Sequence, residues 1–348
     1  MLKNIHKLKK HHIISFTAVG GLALTLFSFN SSPLFSTTTP FVLFGSDSVI
    51  LEQEVQVSSG DIGSNNKLTI EKDSIVNGNL FAKTITIDKN TTINGNASFN
   101  KLKLHKDAQI LGTQTKPVQL PIANLPDIPA FSIGEQDVTF EGAINTLSAG
   151  SYRDITLEND SRLVLEGGVY NLRTLELKEN STLIFNAPTT INIQFKLKGK
   201  YHISILSGSN TVPSDLTINY IGIKPKNERE DEDDDDEIES EMDDKEKKDY
   251  KKQKIGRPVI FGSNSFLNFT LNAPKASVHI GKESTLRGQV LARKVKVGED
   301  SVLSKDEAIS IITKTEDILV TEDGTRFVVN QILIQLTSGG TSNDAVII

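Results

Sequence analysis

The chain of 348 residues has no cysteine and no tryptophan, and only 6% of it is aromatic. Without cysteine there can be no disulfide, no thiolate metal site and no cysteine nucleophile. With so few large rings, a core has to be built from Val, Ile, Leu and Phe. Histidine is scarce as well. Past the first dozen residues there are only His105, His202 and His279, no two at a ligand spacing, which argues against a zinc or histidine-catalysed site. The formal net charge is −6, and apart from a lysine-rich stretch, Lys245 to Lys254, that directly follows an acidic run, the sequence shows no basic surface that would argue for nucleic acid.

Long apolar runs are absent apart from one. Residues 13–29 are apolar and follow a basic head of Lys3, Lys7, Lys9 and Lys10 with His6, His11 and His12. A basic head before an apolar stretch reads as an export signal over residues 1–30. Phe29 and Asn30 stand where a cleavage site needs small residues, so an uncleaved signal anchor is the alternative. The expected location is secreted or cell-surface, with membrane contact only through this segment. Residues 31–45, rich in Ser, Thr and Pro, read as a linker.

A repeat is present. Leu68, Ile85 and Leu102 recur at 17 residues, as do Ile70, Ile87 and Leu104, then Val76, Ile93 and Ile110, and Gly78, Gly95 and Gly112. Apolar residues at spacing two make short strands with one buried face, and the Asp/Asn/Gly-rich corners between them make turns. A 17-residue unit cannot bury its own face, so successive units must stack. The period returns at Val278–Leu286 and Val295–Leu303. Between these blocks it loosens to about 18–20 residues: Gly150-Ser-Tyr-Arg-Asp-Ile-Thr-Leu157 resembles Gly168-Val-Tyr-Asn-Leu-Arg-Thr-Leu-Glu-Leu177, and Asn159–Leu163 resembles Asn180–Leu183. The fold class is therefore all-β, a single-stranded parallel β-helix over residues 46–310, with two regular ends and an irregular middle. Around 15 coils at ~4.8 Å each would give a rod of roughly 70 Å.

Two features interrupt the repeat. Pro117, Pro121, Pro126 and Pro129 mark a crossing loop or a strap along the solenoid. Residues 228–249 hold fifteen Asp or Glu and few apolar residues, so 228–254 reads as a disordered charged loop. Residues 305–318 read as a short helix or cap. Residues 317–348 read as a small α/β C-terminal extension.

The 17-residue unit, with its apolar-x-apolar pairs and apolar-x-Gly corners, resembles the bactofilins, bacterial β-helices that form cytoskeletal polymers. That resemblance implies end-to-end assembly. Gly150–Leu157, then Pro213-Ser-Asp-Leu-Thr-Ile218, Asn272-Ala-Pro-Lys-Ala276 and Asp306-Glu-Ala308 resemble, in order, an exported bacterial β-helix domain of pilus-assembly-associated and surface proteins. It implies a surface location and no particular chemistry. Val329–Leu336 with Gly340-Thr-Ser342 resemble the opening strand of a subtilase propeptide, so 317–348 can be read as the start of such a module. That resemblance implies no protease activity.

The nearest thing to a catalytic cluster is Asp154, Glu158 and Asp160 with Arg153 and Arg162, each expected at a turn or an outward position. Asp73, Asn90, Asp107 and Asp300 at the corners lack the Gly-Gly-x-Gly-x-Asp pattern of calcium solenoids and read as a turn ladder. Thr69, Thr86, Thr91 and Thr92 suggest an outward Thr row that breaks at Lys103. Five tyrosines, Tyr152, Tyr170, Tyr201, Tyr220 and Tyr250, are too scattered for a sugar groove. The expectation is an exported, non-enzymatic structural or adhesion protein without catalytic residues, cofactor or metal. Its partners would be a cell-surface polymer, other surface proteins or copies of itself, and no nucleic acid. The alternatives are a carbohydrate-binding or polysaccharide-degrading β-helix, and a bactofilin-like filament.

Overall fold

The computed structural model describes residues 40–118, 124–142, 144–224, 242 and 244–305, and five short strands between Ile309 and Ile347. The export segment 1–30 and Pro121 lie outside the described residues, as do 225–241 of the acidic run. Among the described residues no helix is long and apolar enough to cross a membrane.

Alternating Val, Ile, Leu and Thr form parallel strands that stack into a β-solenoid. Each full coil carries three strand segments, defining three faces. In the coil that opens with Phe41–Leu51, residues 41–45 lie on face A, 48–51 on face B and Gln56–Val57 on face C. The repeat columns read from the sequence are real neighbours. Leu68 pairs with Ile85 and Ile85 with Leu102, Ile70 with Ile87 and Ile87 with Leu104, Val76 with Ile93 and Ile93 with Ile110. All of these point inward, and one apolar core runs from Leu147 and Ile155 through to Ile93 and Phe99.

The order of stacking differs from the order of the chain. Phe41–Leu51 pairs on one side with Asp61–Ile70 and on the other with Thr285–Val297. The two strictly periodic blocks, about 200 residues apart in sequence, are therefore adjacent and make one regular body. The looser coils form an end, not a middle. The first described coil lies inside the solenoid, and from it the chain winds outward to Gln114–Thr115. It then crosses to the opposite end and winds back from Val138–Phe140 to close on its own first strand. Periodicity reports membership in a stack and not position within it, which is why the sequence reading put the regular blocks at the ends.

The proline-rich stretch is the crossing strap. Leu125 packs on Phe41, Phe44, Phe81 and Leu291, an apolar patch on the outside of face A. By Gly134 the chain has reached the far coil, where its N–H donates to the Tyr152 carbonyl and Gln136 accepts from the Arg153 N–H. Ten successive pairings on face B make eleven rungs, so the first and last lie about 50 Å apart. Residues 116–133 extend at most ~60 Å. Proline suits a segment with so little slack, because it holds the backbone extended. Among the described residues the stack has fewer coils than the sequence reading expected, since the segments 208–215 and 244–258 use chain without adding rungs.

Four further boundaries move. The first strand begins at Phe41, inside the stretch read as linker, since Phe41, Val42 and Leu43 are core residues. Within the stretch read as a disordered charged loop, Asp244–Lys251 is a helix, pinned where Glu246 accepts from Arg293 (2.6 Å) and sits 2.9 Å from Lys294. Residues 309–313 form a strand instead of a helix, Ile309–Thr313 running antiparallel to Ile332–Leu336. Asp317–Val320 pairs in the same way with Arg326–Val329, so among the described residues the C-terminal extension is strand without helix. In the looser coils Gly150 pairs with Tyr170 and not with Gly168, because the offset there is a full 20 residues.

Candidate functional site

Nine corners between faces B and C each place one residue in the left-handed region, where Asn and Asp are tolerated best after glycine, and Asp107 in the last coil is not one of them. Asp160, Asn180, His202, Asn264, Glu283, Asp300, Glu54, Asp73 and Asn90 hold φ between 54° and 62° there. Each donates its N–H to the next coil: Asp160 to Glu179, Asn180 to Tyr201, and so on through Asp300 to Gln53, Glu54 to Lys72 and Asn90 to Asp107. The ladder thus passes unbroken through the junction between the chain's two regular blocks. Asn90 Nδ2 donates to Asp73 Oδ1 at 2.9 Å, and Asn180 to Asp160 at 3.1 Å. The turn-ladder reading of these corners holds. His202 spends its position on this turn.

The residue after the corner points inward. Ser74, Ser284 and Ser301 are buried and linked coil to coil, the Ser74 hydroxyl accepting from Val55 N–H and Ser284 Oγ from Ser265 N–H. Thr91 belongs to this column: it is buried and donates to the Glu71 carbonyl at 3.0 Å. The expected Thr row therefore splits three ways. Thr69 and Thr86 are neighbours on face B, Thr91 is internal and Thr92 lies on face C beside Ile75. The alternation inside one turn, not composition, separates them.

The candidate catalytic cluster is dispersed by the fold. Arg153 bonds Asp137, its Nε at 2.7 Å, and Arg173 Nε lies 2.8 Å from Asp154 Oδ1, so arginines and aspartates alternate along one end of face B. The Arg153 hydrogen bond holds the Asp137 carboxyl below its ordinary range. Glu158 sits in the corner turn, where its carbonyl accepts from Ser161; Asp160 is in the left-handed ladder; Arg162 is on face C beside Ile144 and Thr182. Five neighbours in sequence are thus spread over two faces and a corner. The histidines are equally separate: His105 Nδ1 accepts from Asp107 N–H at 3.2 Å, and His279 lies on face B between Ile260 and Lys296. Among the described residues no group of three His, Asp or Glu is placed to hold a metal ion.

The sequence reading missed two polar constructions. The first is an asparagine ladder on face A: Asn272 donates to Asn219, Asn219 to Asn192, Asn192 to Asn171 and Asn171 to Ser151, at 2.8–3.2 Å. Spacings of 20 to 53 residues hid it. The second is a basic stripe on face B, built from lysines far apart in sequence. From the coil of Lys196 and Lys198 onward, the outward positions carry His279, Lys294, Lys296 and Lys67, and end at Lys101 and Lys103. The expectation of no basic surface therefore does not hold for face B.

Face C and the open end carry apolar exposure. Ile144, Val302 and Ile75 are exposed on face C. In the last coil Leu104 is 39% exposed and Leu111 62%, whereas the equivalent Ile87 is buried. Nothing among the described residues pairs with the outer edge of 101–104.

No family model matches the chain, and no curated protein matches it. The resemblances to bactofilins and to the exported β-helix domain therefore rest on the quoted residues alone. Among solved structures, an ice-binding protein from the Antarctic ascomycete Antarctomyces psychrotrophicus is 13% identical with a TM-score of 0.31, covering 76% of this chain and 94% of that one. An ice binding protein from an Antarctic bacterium, Flavobacteriaceae, is 11% identical with a TM-score of 0.27, covering 77% and 96%. The C-terminal domain of tapirin from Caldicellulosiruptor kristjanssonii is 10% identical with a TM-score of 0.24, covering 77% and 92%. At this similarity none of their roles passes to this chain.

Proposed function

We propose that the chain is a non-enzymatic structural protein of the bacterial cell surface, a short rigid rod that presents three long flat faces. One observation carries the reading. A single apolar core and a single corner ladder run through the whole stack, across the junction where residues 41–51 meet 285–297. Chemistry-bearing residues are absorbed in that architecture: Asp154 and Arg173 pair with each other, and Asp160 and His202 make turns. Export through residues 1–30 belongs to the same proposal and gives the test. Fractionation of cells expressing the full chain should place it in the surface or secreted fraction. Recovery only from the cytoplasm would sink the surface role, and polysaccharide turnover lost on substituting Asp154 would sink the non-enzymatic one.

A second reading, end-to-end association of copies, is favoured by the last coil. Its core-facing Leu104 is exposed and the outer edge of 101–104 is unpaired, and such edges invite pairing with another chain. Electron microscopy of the purified protein should then show filaments or short stacks, and Leu104→Lys should disperse them. Single particles of one length would leave the monomeric rod.

A further inference from the structure

We infer that face B is a docking surface for a linear acidic polysaccharide. The inference builds on the surface-rod reading and names the face and the class of partner. Between the coil of Lys196 and the last coil, the outward positions of the stripe are Lys, His, Ser, Thr or Ile, with no carboxylate. Glu52, Glu71 and Asp88 stand one step off it, at the corner, and Glu52 lies 3.0 Å from Lys296. On a chain of net charge −6, this segregation is made by the fold and not by composition.

The spacing selects the ligand. Along the regular body, lysines occupy every second rung: Lys294 and Lys296, then Lys67, then Lys101 and Lys103. Two rungs measure about 10 Å. That is close to the length of a disaccharide in an extended glycan, so a polymer with one carboxylate per disaccharide would meet a lysine at each repeat. Ser48, Thr84 and Thr86 fill the intervening positions with hydroxyls, which can exchange hydrogen bonds with sugar hydroxyls. The surface is straight and stiff, so little is lost in ordering it on binding. The stripe already takes a carboxylate at one point, where Glu246 sits between Arg293 and Lys294. The chain also carries a polyanion of its own, eight consecutive acids at 230–237, which makes it a natural competitor in the assay.

The test uses the full chain at low salt with hyaluronan, which has one carboxylate per disaccharide, and with neutral dextran and double-stranded DNA alongside. Wild type should bind hyaluronan, with affinity falling as salt rises, and should ignore dextran. The triple variant Lys67→Glu, Lys101→Glu, Lys103→Glu changes only exposed side chains and should weaken binding about tenfold or more. Lys72→Glu, Lys89→Glu, Lys106→Glu makes the same charge change at the corner and should weaken binding less than the stripe variant. Circular dichroism checks that both variants are folded. Binding that appears only when acids 230–237 are changed to Asn and Gln also supports the face and identifies the competitor. The inference is overturned if neither form binds hyaluronan, if the two triple variants weaken it equally, or if DNA binds more tightly. Any of these leaves the surface-rod reading standing, since fractionation decides that separately.

Discussion

Glu54 and Asp300 occupy neighbouring rungs of the corner ladder at the junction of the two regular blocks. Asn donates to Asp at Asn90–Asp73 and at Asn180–Asp160, but here carboxyl faces carboxyl. The hydrogen bond with Asp300 and its charge raise the Glu54 pKa above the ordinary value of 4.5. A raised carboxyl favours the folded state while protonated. Its contribution is complete below 4.5 and is lost as pH rises through the raised value. Asp73 is the opposite case: Asn90 lowers its pKa, and its contribution is lost as pH falls through that lowered value. Glu54→Gln should therefore flatten the decline in urea midpoint from about pH 4.5 upward and leave the acid limb intact. An unchanged profile would show that the pair is not coupled in solution. Tyr170 gives a second residue-level expectation. Its buried hydroxyl donates to the Leu147 carbonyl at 2.7 Å and accepts from the Glu166 N–H. Tyr170→Phe should cost about 1–3 kcal/mol in denaturant unfolding with the fold retained. Gly95 is harder to replace. A Cβ there would lie 2.3 Å from the Gly78 carbonyl oxygen, so Gly95→Ala should destabilise more than a surface change, by about 1–3 kcal/mol.

At the level of elements, the strap is the part most sensitive to length. It covers about 50 Å with at most ~60 Å of chain. Deleting 126–129 removes ~13 Å of reach and all the slack, whereas inserting four Gly/Ser residues at the same place adds reach at little entropic cost. The deletion should expose the coil of 138–157 to early proteolysis, and the insertion should leave the digestion pattern unchanged. Equal tolerance of both would mean the strap takes a shorter path. The strap was legible in the sequence because proline is a local signal. So were the columns Leu68–Ile85–Leu102 and Val76–Ile93–Ile110, since a strict 17-residue offset fixes the register of adjacent coils. The basic stripe and the asparagine ladder were not, because their members come from coils that the chain visits out of order. Neighbours such as His279 and Lys296, or Lys294 and Ser48, have no common sequence signal. The helix Asp244–Lys251 was hidden for another reason. Its composition forbids a core, yet one carboxylate, Glu246, finds Arg293 and Lys294, and this holds it below the ordinary glutamate range despite its partial burial.

For the whole molecule, the closing of the chain on its first strand decides where the rod is strongest. In a solenoid each coil is stabilised by its own packing and by the two interfaces with its neighbours, so end coils have one interface fewer and open first. In a simple sequential stack, the chain's first coil would be an end and would fray. Here the coil of 41–57 is interior, with partners on both sides: Val49 faces Val295 and Leu68, and Gln56 faces Val302 and Ile75. The frayed positions should instead fall within the sequence, at 101–115, where Leu104 and Leu111 are exposed, and at 138–151. Native-state hydrogen exchange should show the slowest amides in 43–51, 62–70 and 290–297, and faster exchange in 101–110 and 138–147. Protection that declined steadily from residue 41 to 115 and rose again only after 150, with 290–297 no better protected than 155–165, would mean that the first strand does not seal the stack. The distinction also predicts how damage spreads. Val295→Asp, at a buried position in contact with both blocks, should unfold the rod as a unit, because it breaks the interface where the two regular blocks meet. Leu102→Ser, in the last coil, should free only that coil and leave the unfolding midpoint of the rest close to wild type.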